Sequence, residues 1–317
     1  MRSLFALLAD VASLGAHHVS VLLDWTPNPD HVGLFYARDT GLFARSGLDV
    51  AIHAPSDPAA ALKLVAAGRV DFAVSYEQEV LIAVAKKLPV VAVAAVVPRP
   101  LNSIMAIDPK IRHVADLKGK KIGITGVPAD DAALDTALNS AGLRRSDVTV
   151  ISVGYNLLPA LLAHRVDAVL GVYRNVEGID LELRGLHPTV IPLDRAGVPT
   201  YDELVLVASA SRLRGSGYAA ETRAFVRAFI AGTTAARADR RAAIGVLRKE
   251  TTSSARFLDR ATPATLALLA GPGGAGCLRL SDWRRFAGWM QARGLLPQPV
   301  KASAAMTTRF LPDRCSA

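Results

Sequence analysis

A short apolar run at residues 19–23 breaks into Asp24-Trp25-Thr26-Pro27-Asn28-Pro29, and a helix-like pattern follows over 30–46. This passage constrains the chain more than any other. A strand ending in Trp and Asn at a helix start builds a ligand-facing loop at the carboxyl edge of an open α/β sheet. Such sheets bind small molecules at that edge. Asn28 before Pro29 reads as an N-cap followed by the first helical residue.

The same alternation continues. Strand-like runs at 49–54, 70–75 and 90–97 are separated by helical runs at 58–68 and 75–87, the second opened by a Ser75 to Gln78 capping box. Alternation of this kind predicts βαβ units with parallel strands. New strands are expected at 104–107, 121–125, 148–153, 167–173 and 190–192, and 201–208 reads as a strand returning to the first lobe. Beyond residue 219 the pattern is nearly all helix, with segments at 221–237, 240–250, 263–269 and 281–294 and a loosely ordered tail after 297. At 317 residues the chain exceeds one ordinary domain. The expected division is a first lobe over 18–103, a second over 104–200, and a return to the first over 201–317. Two crossings then frame a cleft that closes by a hinge.

No apolar run reaches the 18 or so residues that a spanning helix needs. The net charge of +9 comes from scattered basic residues without the aromatic-interleaved patch of a nucleic-acid reader, so no nucleic-acid partner is expected. Residues 1–17 resemble a secretory signal: Arg2 supplies a positive start, a short apolar run follows, and small residues precede His17, although Asp10 interrupts the run. Cys277 and Cys315 are the only cysteines. They are consistent with one disulfide in an oxidising compartment or with two separate thiols. No G-x-S-x-G, H-E-x-x-H or P-loop occurs, and neither a catalytic constellation nor a metal site is expected.

Five segments carry a family resemblance: LDWTPNPDHVGLFYARDTGLF from Leu23, AGRVDFAVSYEQEV from Ala67, DLKGKKIGITGVPADDAAL from Asp116, VGYNLLPALLAHRVDAVLGVYRNVEG from Val153, and PTYDELVLVAS from Pro199. The chain resembles the periplasmic substrate-binding proteins of thiamine-pyrimidine-precursor ABC transporters, whose fold fungal pyrimidine synthases share. The first and last segments are specific to this family; the third is common to many binding proteins. The resemblance implies an α/β, two-lobed periplasmic-binding-protein fold of type II, with a pyrimidine held in the interlobe cleft against aromatic rings. It also implies a periplasmic, non-enzymatic monomer without a cofactor, partnered by an ABC permease. The synthases carry a cysteine-rich motif, and this chain has no cysteine before residue 277.

The positions matching the family's ligand site are Trp25, Asn28, Tyr76, Glu77, Tyr173 and Glu177; Tyr201, at the second crossing, joins them as a candidate. Each also has a plain structural reading. Trp25 either covers the sheet edge or stacks on a flat heteroaromatic. Asn28 caps a helix with or without a ligand. Glu77 favours a helix N-terminus by itself. Glu177 either pairs with Arg174 or accepts from the amino edge of an aminopyrimidine. Tyr201 and Asp202 serve hinge packing or ligand contact. Asp108, Asp130, Asp131 and Glu77 near strand ends point to an acidic cleft that repels sulfonate, nitrate or phosphate. The expected function is capture of an aminopyrimidine thiamine precursor. The alternatives are a pyrimidine synthase of the same fold, or a binder of another flat heteroaromatic such as riboflavin.

Overall fold

The computed structural model describes residues 16–56, 60–154 and 156–316, so nearly all of the signal-like segment lies outside the described residues. Ten strands form two five-stranded sheets. The first sheet holds β1 (His17–Leu22), β2 (Leu48–His53), β3 (Phe72–Ser75), β4 (Val90–Val97) and β10 (Leu204–Ser209), in the order β2-β1-β3-β10-β4. The second holds β5 (Asn102–Ala106), β6 (Lys121–Ile124), β7 (Thr149–Ser152), β8 (Ala168–Tyr173) and β9 (Thr189–Pro192), in the order β7-β6-β8-β5-β9. The chain passes between sheets at 98–101 and again at 193–203.

Neither sheet is wholly parallel. β1 lies parallel to β2 and β3, and β6 parallel to β7 and β8. However, β10 is antiparallel to both β3 and β4, and β5 to both β8 and β9. The antiparallel strands are the two that follow the crossings: a chain entering a sheet from the hinge runs opposite to strands that end there. Every residue of β4 is buried, which explains its unbroken apolar sequence.

The helix Val32–Asp39, which follows the Asn28 turn, packs on the long helix Ser216–Ala238. Two glycines permit the close crossing: a Cβ at Gly232 would lie 2.6 Å from the Ala37 Cβ and 2.8 Å from the Gly33 carbonyl oxygen, and one at Gly33 would overlap Thr233. Phe225 of the long helix stacks between Phe43 and Phe72, at 4.8 and 4.4 Å. The loop from β1 is thereby fixed from beneath.

Three local expectations are corrected. The Ser75 to Gln78 capping box does not form: Tyr76 is the N-cap, its side chain making no bond to the helix start, and Ser75 stays in β3 opposite Val205. The helix expected from Pro263 instead runs Ala255–Leu266, started by the Ser254 hydroxyl accepting from the Phe257 N–H, with Pro263 in its interior. The tail is pinned rather than loose. Met306 bridges Ala92, Phe310 is buried, and Cys315 joins Cys277 in a disulfide.

Candidate functional site

A cavity of about 930 Å³ lies where the loops after β1 and β3 face the end of β8. Residues 24–28 and Asp30 come from the β1 loop, Tyr76 from the end of β3, and Gly171, Tyr173, Val176 and Glu177 from β8 and its exit. Residues 250–253 and Phe257 close the remaining side. The volume suits a small molecule, which pockets of roughly 300–1,000 Å³ commonly hold.

Asn28 caps the turn as its sequence predicts: its Oδ1 accepts the Asp30 N–H at 2.8 Å. Its own N–H is donated to His31 Nδ1 at 3.3 Å, so the ring proton sits on Nε2 and is donated to Asp24 Oδ1 at 2.8 Å. The Tyr76 hydroxyl donates to the other Asp24 oxygen at 3.0 Å. Buried Asp24 therefore fixes both the turn and the Tyr76 ring. Trp25, half exposed, stands in the cavity wall beside it.

Across the cavity, the Tyr173 hydroxyl donates to Glu203 Oε1 at 2.9 Å, and the Tyr173 N–H donates to Glu177 Oε2 at 2.7 Å. Burial raises the Glu177 carboxyl above its ordinary range, against the lowering effect of its backbone hydrogen bonds. Arg174 does not pair with Glu177; its guanidinium donates to the Pro100 carbonyl at 3.0 Å. At the floor, Asn175 Nδ2 donates to Asp30 Oδ1 at 2.6 Å and so ties the β8 exit to the β1 loop. Burial pushes Asp30 up to about 7; neighbouring His31 and the Asn175 bond oppose the shift, while Asp24 and Glu203 add to it.

Five of the seven residues singled out from sequence line this cavity: Trp25, Asn28, Tyr76, Tyr173 and Glu177. The structure puts Glu77 and Tyr201 elsewhere. Glu77 is fully buried, and its Oε2 accepts the Asp202 N–H at 2.7 Å. Tyr201 stacks on Phe286 at 4.6 Å and donates to Glu203 Oε2 at 3.2 Å. Both therefore hold the second crossing. The four acids expected to line the cleft, Asp108, Asp130, Asp131 and Glu77, lie outside its wall, and other acids stand there. Asp108 caps the Lys110 N–H, Asp130 accepts from Thr125, and Asp131 pairs with Arg145. The acids in the wall are Asp24, Asp30, Glu177 and Glu250, the last paired with Arg38 at 2.6 Å. Among the described residues the wall contains no Lys, Arg or His.

Sequence reasoning missed Asp24, Asp30 and the segment 250–257. Asp24 was signalled by its place between strand and Trp25. Glu250 and Phe257 belong to C-terminal helices, Thr251 follows the first of them, and none carries a local mark.

Two α/β lobes, two crossings and a cavity between them define the class of two-lobed periplasmic-binding-protein folds. The solved periplasmic aliphatic sulphonate binding protein of Escherichia coli matches with a TM-score of 0.70 at 16% identity, over 92% of each chain. That likeness speaks for the fold alone. The chain belongs to the NMT1/THI5 like family, whose model matches residues 28–243. The formylaminopyrimidine-binding protein of Halalkalibacterium halodurans is 34% identical over 298 residues, covering 92% of this chain and 89% of that one. A protein of Haemophilus influenzae named as a thiamine biosynthesis protein is 41% identical over 204 residues, which is 64% of this chain and 65% of its own length.

Proposed function

We propose that this chain is the exported solute-binding component of an ABC importer and captures an aminopyrimidine thiamine precursor, of the formylaminopyrimidine or hydroxymethylpyrimidine type. One observation carries the reading: in a chain of net charge +9, the described residues of the cavity wall supply aromatic rings and four carboxyl groups and no cationic side chain. Such a wall disfavours anions and suits a flat ligand that presents hydrogen-bond donors. The named pyrimidine-binding relative, matched over nearly its full length, supports the same choice.

Trp25 serves as the platform for the ring, with Tyr76 and Tyr173 held rigidly by Asp24 and Glu203. Glu177 accepts from the amino edge and its neighbouring protonated ring nitrogen in bidentate fashion. Asn28 contributes its amide while capping the turn. Glu77 and Tyr201 act from behind, by fixing the second crossing. Closure about the crossings captures the ligand, and opening delivers it to the permease. A synthase of the same fold would need the histidine, lysine and cysteine motif of its relatives. Here the described residues of the wall include no Lys or His, and both cysteines are locked in a disulfide outside it.

The test is thermal denaturation with candidate ligands. An aminopyrimidine at about 100 times its dissociation constant adds about 2.7 kcal/mol of stability and raises the melting temperature. Taurine, alkanesulfonates and nitrate leave it unchanged. A clear shift with taurine and none with any pyrimidine would overturn the proposal.

A further inference from the structure

A second cavity, of about 270 Å³, lies between the two crossings, walled by Arg99 of the first, Asp194 and Arg195 of the second, Arg174 from the β8 exit, and Arg279. Its wall carries four arginines against three acids, Asp194, Asp202 and Asp282. Among the described residues, Arg99, Arg174 and Arg195 form no ion pair with a carboxylate, whereas Arg279 is paired with Asp282 at 3.4 Å. The Asp202 carboxyl, also in this wall, is taken by the Trp283 indole N–H at 2.7 Å. With Asp282 engaged by Arg279, three guanidiniums face Asp194 and Asp202.

The Arg99 and Arg174 side chains are held by single carbonyls. Arg99 donates to Ala270 at 2.8 Å and Arg174 to Pro100 at 3.0 Å. The Nε atoms of both are buried with no hydrogen-bond partner. Buried donors of this kind are costly unless something accepts from them. Arg174 titrates below its ordinary range: burial is the main cause, Asp194 opposes it, and Arg99 and Arg195 are close enough to add repulsion. These Nε atoms do not face the cavity, so contact with an anion falls to the terminal guanidinium nitrogens; grouped guanidiniums are a usual means of gripping a planar or tetrahedral oxyanion.

We infer that this hinge cavity is a binding site for a small oxyanion, a phosphate or a carboxylate-bearing metabolite, gripped by Arg99, Arg174 and Arg195. Because Arg99 follows β4 while Arg174 and Arg195 follow β8 and β9, the bound anion spans the two crossings and favours the hinge angle seen here.

Calorimetric titration with inorganic phosphate and separately with citrate, in chloride of matched ionic strength, tests the site. Saturable binding with a dissociation constant on the order of 1 mM or tighter is expected for at least one anion. The anion that binds tells a phosphate group from a carboxylate. Arg195→Gln and Arg99→Gln should each weaken it about tenfold through loss of a charge-assisted contact. Arg227→Gln makes the same charge change on an exposed helix face outside the cavity and should leave it unchanged. Arg195 is itself exposed, so its variant should fold normally. Absence of saturable binding by either anion, or equal weakening by Arg227→Gln, would overturn the site. No pyrimidine enters this experiment, so its failure leaves the reading of the acidic cleft untouched.

Discussion

Glu203 offers the sharpest test of how the hinge is held. It is buried, and its Oε2 accepts the N–H groups of Leu101 at 2.7 Å and Asn102 at 3.1 Å together with the Tyr201 hydroxyl at 3.2 Å. Its Oε1 accepts the Tyr173 hydroxyl of the cavity wall. One carboxylate thus joins both crossings and the ligand cleft. Glu203→Ala strands two backbone donors that cannot rotate toward new partners, at about 1–3 kcal/mol each. With the void left behind, the expected loss of stability is about 3–5 kcal/mol. Glu203→Gln keeps an oxygen for the three donors and turns an amide toward Tyr173, whose hydroxyl rotates to accept. Its cost should be about 1 kcal/mol or less.

Urea unfolding followed by circular dichroism measures both. If Glu203→Gln falls as far as Glu203→Ala, then charge rather than acceptor geometry holds the hinge, and the reasoning fails. A pH series supplies an internal check. Burial raises the Glu203 carboxyl, despite four hydrogen bonds that lower it. The native state therefore binds this proton more tightly than the unfolded chain does. The resulting stabilisation is complete below the unfolded value of about 4.3 and is lost as pH rises through the native value. Wild type should gain on Glu203→Gln as the solution is acidified.

Asp30→Asn should flatten part of the stability loss that wild type shows as pH rises from about 4 through about 7, because burial pushes this carboxyl up to about 7; Asp202, raised to about 7 as well, supplies a remainder. An unchanged slope in the Asn variant would refute the burial argument. Reduction of the disulfide, which spans 38 residues, should cost about 4 kcal/mol in the chain-entropy model, read as a drop in urea midpoint with and without reductant. If the cleft binds an aminopyrimidine, Glu177→Gln should weaken it by roughly 2–3 kcal/mol and abolish preference over the desamino analogue. Trp25→Ala should weaken both ligands alike and Trp25→Phe much less; calorimetry with the two ligands separates these effects.

Residues next to strand ends carried the legible part of the site. Trp25, Asn28, Tyr76, Tyr173 and Glu177 all sit where an apolar run stops; period and punctuation locate such places, and the family resemblance singled out these residues among them. What a first-turn carboxylate then faces is a tertiary matter. Glu77 looks like a cleft residue until Asp202, 125 positions later, offers its N–H from behind. Asp24, with an equal claim in sequence, faces the cavity because His31 and Tyr76 hold it there. Glu250 and Phe257 reach the wall through helix packing that no local pattern encodes. The same holds for the tail, whose order depends on Ala92 and Cys277 far upstream.

The place of β10 between β3 and β4 has a consequence for biosynthesis. The second sheet is built from one continuous stretch, whereas the first lacks the strand that joins β3 to β4 until residue 209 has been made. At roughly 5–20 residues per second, β4 waits about 5–20 s for its partner after leaving the ribosome. During that interval the sequence VVAVAAVV is an unpaired, uncharged strand, the kind of segment that pairs with other chains. Completion of the first lobe is thus timed by the synthesis of the second.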